Sequence, residues 1–168
     1  MTTIEKSVDV RVPVTTAYNQ WTQFESFPGF MEGVEKIDQL DATRTHWRTK
    51  IGGVVREFDA EITEQVPDER IAWRSVDGPD QAGVVTFHRI DDITTRVHLQ
   101  MDYDPETLTE KAGTLLGIVE GRIKGDLDRF KEFIENRGDE TGAWRGEVPR
   151  APQAGETASP GSRGESLR

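Results

Sequence analysis

Gly83-Val84-Val85-Thr86-Phe87-His88-Arg89-Ile90, then Asp91-Asp92-Ile93, then Thr94-Thr95-Arg96-Val97-His98-Leu99-Gln100-Met101-Asp102-Tyr103: this run decides the fold. Both flanks alternate apolar and polar side chains, the period-2 signature of a strand with one buried face. Two registers compete for the hairpin. A two-residue Asp91-Asp92 loop sets Phe87 opposite Arg96 and Val85 opposite His98. A three-residue loop, Asp91 to Ile93, sets Phe87 opposite Val97 and Val85 opposite Leu99, and so keeps the apolar residues on one face. The second register is expected, and it turns His88 and His98 to solvent.

Upstream the pattern stays β as far back as Val34, with strands over 34–40, 45–51, 54–66 and 70–76 separated by Gly52-Gly53, Pro67-Asp68-Glu69 and Gly78-Pro79-Asp80 turns. Connections this short imply antiparallel neighbours. A further strand lies near the N-terminus, where Val8, Val10 and Val12 alternate with Asp9 and Arg11 until Pro13 ends it. Thr15 or Thr16 is placed to N-cap a short helix carrying Ala17, Trp21 and Phe24, and residues 26–31 form a second helical turn. Downstream, Leu108, Ala112, Leu116, Val119, Ile123, Leu127, Phe130 and Ile134 make one stripe along a helix over 107–136, which Gly138 stops. A stripe of that length needs a partner of matching length. The expected class is therefore α+β: a curved antiparallel sheet of about seven strands wrapped on a long C-terminal helix, with two short helices after the first strand. Gly113, Gly117, Gly121 and Gly125 recur every four residues on that helix. They read as close approach to the sheet or as room for a ligand.

Residues 1–137 form the expected domain and 138–168 a disordered polar tail, whose last stretch has too few bulky apolar residues to offset its ordering entropy. Trp144 is the exception in it, and points to docking on the domain or to a protein partner held by the tail. The net charge of −10, with 21 basic residues interleaved among 31 acidic ones, disfavours nucleic acid and anionic membranes as partners. No apolar run is long enough to span a bilayer. The first residues lack a secretory signal and there is no Cys, so the chain reads as cytoplasmic, with neither disulfide nor thiol chemistry.

Several separated segments resemble one group of proteins. They are Phe24-Glu25-Ser26-Phe27-Pro28-Gly29-Phe30-Met31, Phe58-Asp59-Ala60-Glu61-Ile62 running into Pro67-Asp68-Glu69-Arg70-Ile71-Ala72-Trp73-Arg74-Ser75, the Gly83-to-Phe87 strand, and Asp126-Leu127-Asp128-Arg129-Phe130-Lys131. In this order they are similar to the polyketide cyclase/dehydrase and lipid-transport superfamily (START-like, SRPBCC), nearest its coenzyme Q-binding branch, over about residues 3 to 137. The resemblance implies the helix-grip fold and a cavity between sheet and long helix. A shared fold does not choose among the carriers, receptors and cyclases built on it.

Alternation then says which side chains would line such a cavity: Trp47 and Thr49; Phe58 and Ile62; Trp73 and Ser75; Val85 and Phe87; Val97, Leu99, Met101 and Tyr103. Leu116, Val119 and Ile123 join them from the helix, and Phe27, Phe30 and Met31 would stand at the mouth. A mostly apolar lining with a few polar atoms suits a hydrophobic or amphipathic small molecule such as a lipid, quinone or polyketide. Simple core packing explains the same residues, and an ordinary apolar plug explains the mouth. Catalytic signals are thin. His46, His88 and His98 lack metal-ligand spacing, and neither a nucleophile elbow nor a phosphate loop is present. No metal and no cofactor is expected. Arg56, which shares the parity of Phe58, and Tyr103 are the candidate catalytic groups for the rival reading, a polyketide aromatase/cyclase or dehydratase. A protein-interaction module is the third.

Overall fold

The computed structural model describes residues 2–51, 53–76, 81–103 and 114–149. Its seven strands are β1 (Thr2–Val10), β2 (Val34–Gln39), β3 (Arg44–Ile51), β4 (Val54–Val66), β5 (Arg70–Ser75), β6 (Gln81–Asp91) and β7 (Thr94–Tyr103). They lie in the order β1-β7-β6-β5-β4-β3-β2, all neighbours antiparallel. Six strands thus form a meander, and β1 closes its far edge against β7. Helix α1 (Val14–Trp21) and a 3₁₀ turn (Phe24–Gly29) lie between β1 and β2, and α2 (Thr114–Arg137) ends the helical part. The N-terminal part of the long helix expected from residue 107 falls outside the described residues.

The apolar register of the β6–β7 hairpin is the expected one, with Phe87 opposite Val97 and Val85 opposite Leu99. The turn differs. Asp91 pairs with Thr94, leaving a two-residue Asp92-Ile93 turn, and the odd residue is absorbed as a bulge between Arg89 and Asp91. Asp91 stabilises it by accepting the Ile93 N–H at 2.9 Å. A second irregularity, between Ile62 and Glu64 on β4, shifts the inward parity by one. Phe58, Ala60 and Ile62 face inward before it and Gln65 after it, so Gln65 is 1% exposed where plain alternation would bury its neighbours.

The buried face of α2 carries Val119, Ile123, Leu127, Phe130 and Ile134. Gly138, at φ +82°, takes the left-handed conformation that ends the helix, and its N–H bonds the Ile134 carbonyl at 2.9 Å. Gly117 and Gly121 do not meet the sheet: both are exposed, with no atom within 4 Å of where a Cβ would sit. At Gly125 the nearest atoms to a Cβ belong to the side chain of Arg129, one turn along, and Gly113 is outside the described residues. The expected caps also differ. Pro13 occupies the N-cap of α1 without a side-chain bond, and Thr15 donates instead to Asp68 at 3.2 Å.

The chain does not leave the domain at Gly138. Thr141 exchanges hydrogen bonds with the buried Gln20 amide, at 2.8 and 3.1 Å, and the Trp144 N–H donates to the Thr22 hydroxyl. Arg145 reaches Asn19, grips Asp68 with both terminal nitrogens at 2.8 and 3.0 Å, and lies over the ring of Tyr18. Val148 and Gln65 exchange both backbone hydrogen bonds. Residues 139–148 are therefore a strap across α1 and β4. The expectation of a structureless tail from residue 138 fails here because polar contacts, which leave no hydrophobic period, hold the segment. Residues 150–168 lie outside the described ones.

Candidate functional site

The sheet and α2 enclose a cavity of about 120 Å³. Its sheet wall is Trp47 and Thr49 from β3, Arg56 and Phe58 from β4, Trp73 from β5 and Leu99, Met101 and Tyr103 from β7. Phe27 and Met31 come from the connection into β2, and Val119 and Ile123 from α2. The sheet and helix residues among them are those that parity and helical spacing single out, with Arg56 as a catalytic candidate, while Phe27 and Met31 are the residues expected at the mouth of the cavity that the resemblance implies. The aromatic part is ordered: Trp47 and Phe58, opposite each other in register, stack at 6.0 Å and 12°, and the Trp47 N–H donates to Thr45 at 2.7 Å. Trp73 packs over Gly83, where a Cβ would come within 2.5 Å of its Cζ2.

Other expected lining residues lie elsewhere. Val85, Phe87 and Val97 are buried on the right face but outside the cavity, because α1 fills that end of the groove. Phe87 meets Tyr18 at 5.4 Å and Trp21 at 6.3 Å, ring to ring. Phe30 packs into the aromatic core on Phe130 and Phe133. Ser75 accepts the Gln81 N–H at the strand end. Ile62 borders a second, open groove of about 500 Å³ between the 3₁₀ turn, the β2–β3 turn and the strap, with Trp144 on its wall. The side chain of Leu116 is outside the described ones.

To the anticipated polar residues Thr49, Arg56 and Tyr103 the helix adds two that were not, Arg122 and Asp126, one turn apart on α2. They flank the Val119–Ile123–Leu127 stripe at helical spacing, and this proximity was the available signal. Asp126 accepts the Glu32 N–H at 3.0 Å and pairs with Arg129. Glu32 in turn bridges Arg122 at 2.9 Å and Arg129 at 2.7 Å, and Arg129 donates to the Phe30 carbonyl. Four charged side chains thus latch the Phe30–Glu32 segment to α2. Burial pushes the Asp126 carboxyl above the ordinary carboxylate value, against the pull of the Arg129 hydrogen bond. Burial, then the Asp126 charge, push the Tyr103 phenol upward too, so the phenol stays protonated.

The histidines lie away from the cavity. His46, on the other face of the sheet, bonds Asp59 through Nδ1 at 2.6 Å and Glu57 through Nε2 at 3.1 Å, while His98 meets Glu5 and His88 meets Thr86. Among the described residues no group of three His, Asp or Glu side chains could hold a metal ion.

A curved sheet gripping one helix recurs among known proteins. The ZhuI aromatase/cyclase of a Streptomyces species superposes with a TM-score of 0.70 at 17% identity, over 85% of this chain and 99% of that one. A START superfamily protein of Mycobacterium smegmatis gives 0.58 at 14%, over 76% and 97%. Likeness at these identities establishes the fold. An uncharacterised 17.2 kDa protein of Streptomyces lincolnensis is 63% identical over 149 residues, 88% of this chain and 99% of that relative. Residues 10–132 match the family described as "Polyketide cyclase / dehydrase and lipid transport", a span holding both the cavity wall and the charged latch, and the chain belongs to that family.

Proposed function

We propose that this protein binds a hydrophobic or amphipathic small molecule in the cavity, for carriage or sequestration, and does so in the cytoplasm. The supporting observation is the combination of size and lining. A space near 120 Å³ is close to the ~150 Å³ apolar cavity that accommodates benzene. It suits a single ring, or the ring end of a longer lipid, quinone or polyketide, better than a whole fused-ring product. The apolar wall would supply affinity, and the polar groups gathered around Asp126 and Tyr103 would set orientation. A quinone is the ligand that a place in the coenzyme Q-binding branch would imply. Among the described residues no helix is long and apolar enough to cross a membrane. Native mass spectrometry of the purified protein, with extraction of any co-purified lipophile, tests the reading. A ligand-free protein that also gives no heat on titration with single-ring compounds would sink it.

A second reading has one observation in its favour. Asp126, its carboxyl pushed upward by burial, lines the cavity with Tyr103 and Arg56, so a carboxyl, a phenol and a guanidinium would be available to one bound substrate. That set would serve an aromatase/cyclase or dehydratase. Turnover of a poly-β-keto substrate that collapses in Asp126→Asn and Tyr103→Phe would move the protein into that class. A partner-binding role at the strap has less support. Its polar groups are largely engaged by the domain itself, which leaves the exposed ring of Trp144 as the feature in its favour.

A further inference from the structure

The strap takes hold of α1 on both sides of Trp21. Before it, the Gln20 amide exchanges hydrogen bonds with Thr141 at 2.8 and 3.1 Å, and Asn19 meets Glu140 at 3.1 Å and Arg145 at 2.8 Å. After it, the Thr22 hydroxyl accepts the Trp144 N–H at 3.1 Å and donates to the Asn19 carbonyl at 2.6 Å. Asn19, Gln20 and Thr22 are all buried. Between them Trp21 borders the inner end of the cavity, ring to ring with Phe130 at 4.9 Å and Phe27 at 5.4 Å. A helix of eight residues has little stability of its own, and α1 has neither a capping side chain, nor an acid in its first turn, nor a base in its last. Its position is therefore set by what packs on it, the aromatic core on one side and the strap on the other. The strap is tied down in turn by the grip of Arg145 on Asp68 and by the Val148–Gln65 pair, and none of these four residues lines the cavity.

We infer that the strap sets the depth of the cavity, and so the size of ligand it takes, by holding α1 and the Trp21 indole at the cavity's inner end. The inference rests on the reading of the cavity as a binding site and adds what limits its ligand to about one ring. With the strap seated, the indole fills the space behind Phe27. With the strap released, α1 is held from one side only, the indole backs away and the cavity takes a second ring. Arg145 is thus a positioning residue, acting through the strap and α1 on a site it does not touch.

Phenol and 2-naphthol test this, since they differ by one fused ring. Both are titrated by calorimetry into the full chain and into two full-length variants. Arg145→Met keeps the apolar stem and loses the grip on Asp68; Thr141→Val removes the hydroxyl to which Gln20 donates. The ratio of the two affinities is the readout. It cancels what each compound gains on leaving water, and a merely structural loss lowers both affinities together. We expect the ratio to move toward 2-naphthol by about fivefold or more in both variants, with faster hydrogen exchange at the Trp21 and Thr22 amides. Arg145 lies at the surface, so its variant carries the test if Thr141→Val does not fold. A ratio unmoved, or moved toward phenol, in either folded variant overturns the inference and leaves the cavity a binding site, as does unchanged exchange in α1. Binding of neither compound by any of the three proteins overturns the reading beneath it.

Discussion

The indole of Trp73 lies across the bare Cα of Gly83, its cross-strand partner on β6, and the Met101 sulfur crowds the same point. An added Cβ would stand 2.5 Å from Trp73 Cζ2 and 2.7 Å from Met101 Sδ. Since Trp73 and Met101 both line the cavity, this glycine sets the shape of one wall. Gly83→Ala must push one of them into the open space. We expect it to destabilise the fold by ~1–3 kcal/mol, as overpacking does, and to shift tryptophan emission. Ligand binding should weaken more than in a change of equal cost at Phe133, which packs away from the cavity.

Arg145 and Asp68 tie the strap to the β4–β5 turn, and their hydrogen bond holds the Asp68 carboxyl below its ordinary value. A carboxyl whose folded pKa is depressed contributes stability that is complete above its unfolded pKa, ~3.9. That contribution is lost as pH falls through the folded value. Asp68 has φ 65°, which asparagine tolerates, so Asp68→Asn removes the charge without straining the turn. The stability gap between wild type and Asp68→Asn should be constant from pH 7 to about 5 and should close below about 4. A gap still open at the lowest pH would show that the pair is not its source.

Ending the chain after Gly138 removes the strap and exposes the buried Gln20 amide it satisfies. At ~0.5–1.5 kcal/mol for each lost hydrogen bond, and ~2–4 °C per kcal/mol for a chain near this size, the midpoint should fall by several degrees. Ending it after Pro149 should leave the midpoint unchanged. Equal midpoints for the two truncations would mean that the strap contributes nothing to stability.

What could be read from the sequence, and what could not, follows from which patterns repeat. The hairpin register was legible because one wrong step would have set Phe87 opposite Arg96 and Val85 opposite His98, mixing apolar and polar side chains on one face. Parity reports the face of a residue but not its depth. Leu99 and Val97 point the same way, yet only Leu99 reaches the cavity, because Tyr18 and Trp21 of α1 occupy the other end. The bulge that turns Gln65 inward leaves no compositional mark, and the strap is held by polar pairs without a period. Its two glycines hint at close packing in retrospect. A Cβ at Gly142 would meet Gln23 at 2.7 Å, and one at Gly146 would meet Trp144 at 2.5 Å.

His46 sits between Asp59 and Glu57, whose hydrogen bonds raise its pKa. A raised histidine contributes stability that is complete below its unfolded pKa, ~6.5, and is lost as pH climbs through the folded value. His46→Gln should therefore cost most near pH 6 and least near pH 9, with added salt narrowing the difference. His88→Ala, at an exposed position, should stay within ~0.5 kcal/mol at either pH. Phe130→Ala should cost ~3–5 kcal/mol throughout. Chemical denaturation at the two pH values checks all three.

The sharpest distinction between cavity and core lies in two leucine-sized positions that face each other. Val85 and Leu99 are partners across the β6–β7 ladder and share a face, yet Leu99 borders the cavity and Val85 is fully buried outside it. Tryptophan at position 99 can extend into about 120 Å³ of existing space, whereas at position 85 it must displace packed atoms at ~1–3 kcal/mol or more. Leu99→Trp should therefore fold with near-normal stability and lose affinity for any single-ring ligand. Val85→Trp should lose stability first and affinity only as a consequence. Measuring the midpoint and the binding isotherm for both variants separates the cases. If Leu99→Trp is the less stable of the two, the space beneath it is not large enough to hold a ring, and the binding reading fails with it.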